Sequence, residues 1–236
     1  MVRKTFVGRH QGKGWVVRGS AYKDRFEAGR LLADELAEYA DDKKVIVLGL
    51  PRGGVPVACE VAKKIHAPLD VMVVRKLGVP GWEELAMGAI ASGGVRVLND
   101  DVIRNLHISE KALEKEVDIE LEELRRRELA YRGHAGAPAV KGLTVLLIDD
   151  GIATGSTMRA AVQALRQQGA ARIVVAVPVA AADTCVEIEP MVDRLVALMK
   201  PTVFGAVGHW YERFPQVEDE EVRAMLDRTA VPAHAG

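Results

Sequence analysis

The sequence predicts an α/β fold in which a parallel β-sheet is flanked by helices. Short apolar runs, each long enough for one strand, alternate with segments whose apolar residues recur at helical spacing. Several runs are apolar at every position, which suits strands covered on both faces, as in a parallel sheet. Two runs lead directly into glycine-containing loops and then into helices. The 236 residues are enough for one such domain, which we predict to span 1–236.

The first part of the chain contains two helix–strand pairs. Apolar residues between Phe26 and Ala40 recur at helical spacing, and Asp24 or Ser20 can cap the start of that helix. The predicted elements are a helix from about Tyr22 to Ala40, a strand at Val45–Leu48, a helix from about Val55 to Ile65 and a strand at Asp70–Val74.

The glycine-rich segment Leu77–Asn99 interrupts this alternation. Within it, Leu85–Ile90 and Val95–Leu98 can pair as a hairpin through the turn formed by residues 91–94. We predict that residues 77–99 form a flap outside the main sheet.

A long charged helix follows, from about Ser109 to Tyr131, and we treat residues 109–132 as an insertion. Its apolar face includes Val117, Leu121 and Leu124, and pairs of opposite charge four residues apart support it. Its charges favour a solvated face, with a binding surface as the alternative. The remaining predicted elements are a strand at Val145–Ile148, a helix around Met158–Leu165 that ends before Gly169, strands at about Arg172–Val177 and Arg194–Leu198, and a short helix at Asp219–Asp227.

The segment Val145–Thr157 is the most informative part of the chain for function. Its apolar strand is followed by two acids, a loop of glycine and hydroxyl residues, and a helix with Thr154 or Ser156 as candidate N-cap. Open α/β sheets bind ligands at such junctions, beyond the carboxyl ends of the strands. The free N–H groups and the dipole of a helix N-terminus favour an anion, and Gly155 lets the backbone approach it closely. A monophosphate fits these groups.

The acid pair Asp149-Asp150 repels a phosphate but can accept hydrogen bonds from vicinal hydroxyls, or help to hold a divalent cation. A phosphate beside two hydroxyls describes a ribose 5-phosphate. The alternative is a solvated strand end with a capping residue. The segment lacks both the lysine of a P-loop and the glycine pattern of a dinucleotide fold.

This segment resembles the phosphoribosyl pyrophosphate (PRPP) motif of type I phosphoribosyltransferases, in which an apolar run, two acids and a small-residue loop end in Thr-Gly-Ser/Thr-Thr. The resemblance implies that Asp149 and Asp150 are the catalytic acids and contact the ribose 2- and 3-hydroxyls. It also implies that the loop binds the 5-phosphate. The residues of this predicted phosphate site are Gly151, Ala153, Thr154, Gly155, Ser156 and Thr157.

A second loop, Arg52-Gly53-Gly54, carries groups suited to pyrophosphate. Arg52 offers a two-pronged guanidinium, and the glycines expose backbone N–H groups. The loop stands after the first core strand, where the family has its pyrophosphate loop; a glycine turn with a surface arginine is the alternative. Arg75 and Lys76, after the second strand, are further pyrophosphate candidates, with solvated strand-end charges as the alternative.

The resemblance also implies that Leu77–Asn99 is a flexible loop that closes over PRPP and keeps water from a reactive ribosyl cation. Glu83 and Glu84 could meet ligand there, although solvated loop acids are the favoured interpretation. In this family, segments near the termini form a hood that recognises the base. Candidate stacking rings are those of Phe204, Trp210, Tyr211 and Phe214, and also those of Trp15, Tyr22 and Phe26, with a small aromatic core as the favoured alternative.

The implied reaction is displacement of pyrophosphate from PRPP by a nucleobase or another small nucleophile. The implied cofactor is Mg²⁺, which would bridge pyrophosphate and ribose oxygens with Asp149 and Asp150 as indirect ligands. Ala153 stands where the hypoxanthine-guanine branch of the family has an aspartate, and this disfavours a 6-oxopurine acceptor. In this respect the loop resembles the adenine branch.

Composition and charge argue against nucleic-acid binding, secretion and membrane insertion. A net charge of −1 and a pI near 6.6 give no global nucleic-acid signature. The start of the chain has no apolar signal segment, and the longest apolar stretch, Ile173–Ala182, is too short to span a bilayer. Cys59 and Cys185 do not suggest a disulfide framework. We therefore expect a cytoplasmic homodimer with small-molecule partners, PRPP and a nucleobase-like acceptor, and without a membrane or nucleic-acid partner.

Two other functions remain open from the sequence. The first is a non-catalytic regulator that kept the fold in order to sense PRPP. The acids of the long helix and the lack of a helix-turn-helix segment weaken nucleic-acid binding in that role. The second is a PRPP-dependent scaffold for another enzyme.

Overall fold

The structure is a computed structural model that describes residues 21–133 and 136–229. Its strands are β1 (Val45–Gly49), β2 (Leu69–Val71), β3 (Val74–Val79), β4 (Trp82–Ala91), β5 (Val95–Leu98), β6 (Thr144–Ile148), β7 (Arg172–Val179) and β8 (Arg194–Met199). Its α-helices are α1 (Arg25–Asp34), α2 (Gly54–Ile65), α3 (Asp100–Asn105), α4 (Glu110–Arg132), α5 (Ser156–Gln167), α6 (Ala182–Ile188) and α7 (Asp219–Thr229).

The main sheet has five parallel strands in the order β2-β1-β6-β7-β8. All five residues of β1 are buried, and its alternate side chains enter two different cores. Val45 and Val47 pack with residues of α1, α2, α4 and α7, whereas Ile46 and Leu48 pack with residues of α5 and α6. The continuous apolar runs thus reflect burial on both faces, and the predicted parallel sheet flanked by helices is confirmed.

The predicted strand Asp70–Val74 is wrong at its carboxyl end. In the structure β2 ends at Val71, and Val74 begins β3, which belongs to a separate antiparallel sheet. Met72 still donates its N–H to the carbonyl of Gly49 (3.0 Å), but the Val73 carbonyl accepts from the N–H of Ser92 beside the second sheet (2.8 Å). Since residues 70–74 are apolar almost throughout, the sequence does not mark the point where the chain leaves one sheet for the other.

The first helix is shorter than predicted. It is capped by Asp24, whose side chain accepts from the Glu27 N–H, but it ends at Asp34 and not near Ala40. The next turn is a 3₁₀ segment, Ala37–Tyr39, because the backbone tightens into i to i+3 hydrogen bonds at the end of the helix. The other candidate cap, Ser20, and the ring of Trp15 lie outside the described residues.

The glycine-rich segment forms a three-stranded antiparallel sheet, β3-β4-β5. The predicted hairpin between β4 and β5 is confirmed, with Ala91 opposite Val95 and Gly88 opposite Leu98. Leu77 and Met87 of this sheet are fully buried in the core shared with α4, whereas Trp82 at the β3–β4 turn is 64% exposed. The predicted closure of residues 77–99 over a ligand stays a prediction.

The predicted long charged helix is present as α4. Ser109 caps it, and Val117, Leu124 and Tyr131 form a buried stripe against the second sheet and α7. Its charged residues are exposed or partly exposed, except for Glu128 and Arg132, whose side chains form a buried ion pair. No helix in residues 21–133 and 136–229 is long and apolar enough to cross a membrane.

Candidate functional site

Two loops follow the neighbouring strands β1 and β6 and lie side by side at one edge of the main sheet. Gly49 pairs with Ile148 at the ends of these strands, and the Leu50 N–H donates to the carbonyl of Ile148 (2.9 Å). The first loop contains Arg52 and leads into α2. The second begins with the two acids and leads into α5. The two loops predicted from the sequence are therefore adjacent.

The glycines of the first loop lie directly against the acid pair. A methyl group on Gly53 would overlap the Oδ2 atom of Asp150. One on Gly54 would lie 2.7 Å from the carbonyl oxygen of Ile148 and 2.8 Å from the Cα of Asp149. The close packing leaves no room for a side chain at either glycine. Backbone conformation is not the reason at Gly53, because its φ of −63° is an ordinary helical value. The Pro51–Arg52 peptide bond in this loop is cis.

The two acids have different surroundings. Asp150 is buried, and its Oδ2 accepts from Nε of Arg25 at 2.7 Å, whereas Asp149 is half-buried and its Oδ1 accepts from the Asp150 N–H at 2.8 Å. Burial, and then repulsion by Asp150, raise the pKa of Asp149 well above its ordinary value. Burial also raises the pKa of Asp150, although the guanidinium of Arg25 opposes this.

Arg25, at the first position of α1, is a site residue that the sequence did not reveal. Its side chain is only 9% exposed. Besides the bond to Asp150, its Nη1 donates to the carbonyl of Pro215 at 2.7 Å, and its guanidinium carbon lies 3.6 Å from the ring centroid of Phe214. The arginine and the acid stand 125 positions apart, so no local motif links them.

The C-terminal segment 204–217 packs over the acid pair and the start of α1. The hydroxyl of Tyr211 donates to the carbonyl of Asp150 (2.5 Å), and Tyr211 lies in a parallel bridge with Tyr22. Burial raises the pKa of Tyr211 far above its ordinary value, so the ring remains a neutral donor. Residues near both ends of the described chain thus meet at the site.

Of the candidate stacking rings, most are part of an aromatic core. Trp210, Tyr211 and Tyr22 are buried together, and Phe204 packs against Trp210 at a centroid distance of 6.1 Å. Phe214 is 36% exposed while one face covers Arg25, so it retains surface that a ligand could contact. Phe26 is not part of the aromatic core: it lies on α1 and is 40% exposed.

The second loop ends at the N-terminus of α5, where no side chain accepts a hydrogen bond from the first turn. The N-cap of α5 is Gly155, with φ of +71°, and not Thr154 or Ser156 as the sequence suggested, because the backbone there takes the left-handed conformation that glycine favours. No side chain caps the first turn. The hydroxyl-bearing residues Thr154, Ser156 and Thr157 are exposed, so their donors and the free N–H groups are open to an anion.

Neighbouring elements hold this loop in place from behind. The Thr184 hydroxyl of α6 donates to the carbonyl of Ala153 (2.6 Å). A methyl group on Gly155 would lie 2.6 Å from Cγ2 of Thr184, and one on Gly151 would lie 2.6 Å from Val207. These contacts fix the loop from the side of α6 and the C-terminal segment.

The basic residues predicted to bind pyrophosphate already have acidic partners or face solvent. Nη1 of Arg52 lies 3.3 Å from Glu218 and 3.7 Å from Asp219 at the start of α7. Nε of Arg75 lies 2.6 Å from Glu120 of α4. Lys76 is exposed on β3. Arg52 therefore lies in the loop beside the acids, whereas Arg75 and Lys76 belong to the second sheet.

The side chains of Glu83 and Glu84 lie outside the described part of the chain.

The acid pair has suitable oxygen donors for Mg²⁺ but too few to hold the ion alone. Within the described ranges, no group of three or more His, Cys, Asp or Glu residues could bind a metal. Asp150 is already paired with Arg25, which leaves the carboxylate of Asp149. A hard cation takes about six oxygen ligands, so most of them would have to come from a bound ligand and from water.

The family model of the phosphoribosyl transferase domain matches residues 20–207. The chain belongs to this family.

Two further comparisons agree with the family assignment. Proteins from two strains of Mycobacterium tuberculosis, each named "Putative phosphoribosyl transferase", are 49% identical over 207 residues, which is 88% of this chain. The chain spans 46% of the length of those relatives. The crystal structure of TT1426 from Thermus thermophilus is 43% identical, covers 89% of this chain and 99% of its own, and superposes with a TM-score of 0.79.

A more distant relative is the "Bifunctional protein PyrR" of Corynebacterium diphtheriae. It is 29% identical over 127 residues, which is 54% of this chain and 48% of that protein. Family and fold are thus as the resemblance of the Val145–Thr157 segment implied. The roles of the individual site residues stay predictions.

Proposed function

We propose that the protein is a phosphoribosyltransferase that uses PRPP and displaces its pyrophosphate with a nucleobase or another small nucleophile. The observation that carries this proposal is the packing of Gly53 and Gly54 against Asp150 and Asp149. It joins a loop suited to pyrophosphate and a loop suited to a 5-phosphate through one acid pair. A molecule that reaches both loops needs a phosphate, a hydroxylated sugar and a pyrophosphate in that order, which is the composition of PRPP.

The 5-phosphate would lie at the N-terminus of α5. Gly155 starts the helix without a side-chain cap, and Thr154, Ser156 and Thr157 add exposed hydroxyl donors. Backbone N–H groups and the helix dipole both stabilise an anion at this position. The support from Thr184 and Val207 keeps the donors in place before the ligand arrives.

The pyrophosphate would lie against the Arg52 loop. Gly53 is partly exposed beside Arg52, and the Arg52 guanidinium can bind two phosphate oxygens at once. Arg52 must then exchange Glu218 and Asp219 for the ligand. Because these are partly exposed ion pairs, their loss costs little.

The ribose would lie between the loops, with its hydroxyls donating to the acid pair. In the transfer step the bond from the anomeric carbon to the pyrophosphate oxygen breaks, and its electron pair leaves with the pyrophosphate. A bond from the nucleophile to the anomeric carbon forms, and the nucleophile's proton passes to the departing pyrophosphate or to water. Ionised carboxylates near the sugar stabilise the positive charge that develops on the ring. Mg²⁺, held mainly by ligand oxygens and by Asp149, would supply charge neutralisation of the leaving pyrophosphate.

The structure does not identify the acceptor, but two features restrict its chemical class. Ala153 stands where an acidic group would contact a 6-oxopurine. Phe214, which lies over Arg25, is the most exposed of the four candidate rings in the C-terminal segment. A planar acceptor could stack on that ring.

Pyrophosphate release tests the proposal. The protein is incubated with PRPP, Mg²⁺ and a panel of purines, pyrimidines and amides, one at a time, with acceptor-free samples as controls. Release that depends on one acceptor supports transfer, and Asp149→Asn should suppress it. No release with any acceptor, in a protein that fails to bind PRPP, would contradict the proposal.

A second candidate function is a non-catalytic PRPP sensor of the same fold. This function is favoured because two predicted ligand-binding residues already form ion pairs within the protein: Asp150 with Arg25, and Arg52 with Glu218. Exchange of these partners on binding would couple PRPP to the position of α7 and the C-terminal segment. Binding of PRPP without turnover on any acceptor would support this function over transfer.

A further inference from the structure

The Arg25 guanidinium is enclosed by three parts of the candidate site. It contacts Asp150 of the acid pair, and both the carbonyl of Pro215 and the ring of Phe214 in the C-terminal segment. Its Nη2 atom lies 3.3 Å from the place where a methyl group on Gly53 would stand. One edge of the guanidinium is therefore turned toward the loop predicted to bind pyrophosphate.

The charge at this point has a direct consequence for a polyanionic ligand. Asp149 and Asp150 are adjacent carboxyls at the edge where a ligand with several phosphate charges would bind. Two unopposed carboxylates there would repel that ligand and each other. Arg25 is the cation in contact with this pair, and its burial keeps it there without a large loss of side-chain entropy on binding.

The contact geometry also fixes the direction of Asp150. Nε of Arg25 holds Oδ2, and the Tyr211 hydroxyl holds the backbone carbonyl of the same residue. Asp150 is thus restrained from both its side chain and its main chain. The orientation of the Asp150 carboxylate is therefore fixed by groups outside the acid pair.

We propose that Arg25 is a positioning residue for PRPP, one that holds the Asp150 carboxylate in the orientation in which it meets the ribose. This inference rests on the proposed function. Arg25 acts through Asp150, so its effect on PRPP binding should disappear when Asp150 no longer carries a charge. A role confined to folding would not produce that dependence.

Calorimetric titration with PRPP and Mg²⁺ tests the inference on four single variants and one double variant. These are Arg25→Gln, Arg25→Lys, Asp150→Asn, the double variant Arg25→Gln/Asp150→Asn, and Arg30→Gln as the matched control. Arg30 lies on the same helix and loses the same charge, but its guanidinium is exposed and pairs with Glu60. Thermal unfolding of each variant is recorded alongside.

Arg25→Gln should weaken PRPP binding about tenfold or more, and Arg30→Gln should bind as the unchanged protein does. Arg25→Lys keeps the charge and should retain more affinity than Arg25→Gln. In the Asp150→Asn background, Arg25→Gln should change the affinity less than about twofold, because the group through which it acts is gone. If Arg25→Gln does not fold, comparison of the double variant with Asp150→Asn and the Arg25→Lys result carry the test.

Two results would overturn the inference while leaving the proposed function intact. One is an Arg25→Gln variant that binds PRPP as tightly as Arg30→Gln. The other is an equal loss of affinity from Arg25→Gln with and without the Asp150 carboxylate. Absence of PRPP binding by the unchanged protein is a different result, since it removes the proposed function and this inference together.

Discussion

Nε of Arg25 lies 2.7 Å from Oδ2 of Asp150, and this buried ion pair makes the two motif acids unequal. Asp150 has a fixed cationic partner, whereas the Asp149 carboxylate accepts a hydrogen bond from the backbone N–H of its neighbour. The arginine comes from the start of α1, and Phe214 covers its other face. Helix α1 and the C-terminal segment 204–217 are therefore structural parts of the acid site.

The first prediction concerns stability. Asp150→Asn leaves the Arg25 guanidinium buried without its carboxylate, so we expect it to lower the free energy of unfolding by about 3 kcal/mol. Asp149→Asn removes a charge that burial and repulsion disfavour, so that variant should be at least as stable as the unchanged protein. Urea unfolding compares the two, and equal losses would contradict the asymmetry.

The second prediction concerns the contact between the loops. Gly53→Ala places a methyl group on the Asp150 carboxylate and should both destabilise the protein by about 2 kcal/mol and weaken PRPP binding. Gly133→Ala is the control: its φ of +73° gives strain of about 1 kcal/mol, but nothing lies within 4 Å of the added methyl. It should bind PRPP normally. Normal PRPP binding by Gly53→Ala would show that the loops need not touch.

The third prediction concerns competition for Arg52. Glu218→Gln removes an acid that lies 3.3 Å from the guanidinium, so PRPP should bind up to about fivefold more tightly, the equivalent of an exposed ion pair of ~1 kcal/mol. Glu220→Gln makes the same charge change at a neighbouring position of α7 and should have a smaller effect. Titration calorimetry at low salt measures the difference, and identical affinities of the two variants would exclude competition by Glu218.

The fourth prediction concerns alkaline pH. Burial, and then the nearby Asp219, raise the pKa of Tyr131 to about 12 in the folded protein. The unfolded chain loses this proton near a pH of about 10. The tyrosine therefore contributes stability that is present below about pH 10 and is lost as the pH rises toward about 12. Thermal stability between about pH 9 and 11 should fall less steeply in Tyr131→Phe, and parallel slopes would count against this contribution.

Much of the fold could be predicted because its signals are local. The run Val145–Ile148 is apolar at every position since both faces are buried, and the glycines at 53 and 54 mark a loop that touches the next strand. The acids follow the strand directly, so their place at the sheet edge follows from the parallel topology. The phosphate loop was predictable for the same reason.

The parts that could not be predicted depend on contacts between distant segments. Arg25 looked like one of many charged residues on a helix, and only the fold brings it to Asp150. The division between β2 and β3 occurs within an apolar run, because Met72 and Val73 are both buried where the chain passes from one sheet to the other. The acidic partners of Arg52 and Arg75 likewise come from remote segments: Glu218 directly precedes α7, and Glu120 lies on α4.

If the two loops form one PRPP site, a fragment that occupies either loop must compete with PRPP, which a competition titration measures. PRPP is titrated into the protein alone and in the presence of saturating ribose 5-phosphate or pyrophosphate, each with Mg²⁺. We predict one PRPP site per chain, competition by both fragments, and selective weakening of pyrophosphate in Arg52→Gln. Absence of PRPP binding, or PRPP binding that neither fragment affects, would show that the two loops do not form one PRPP site.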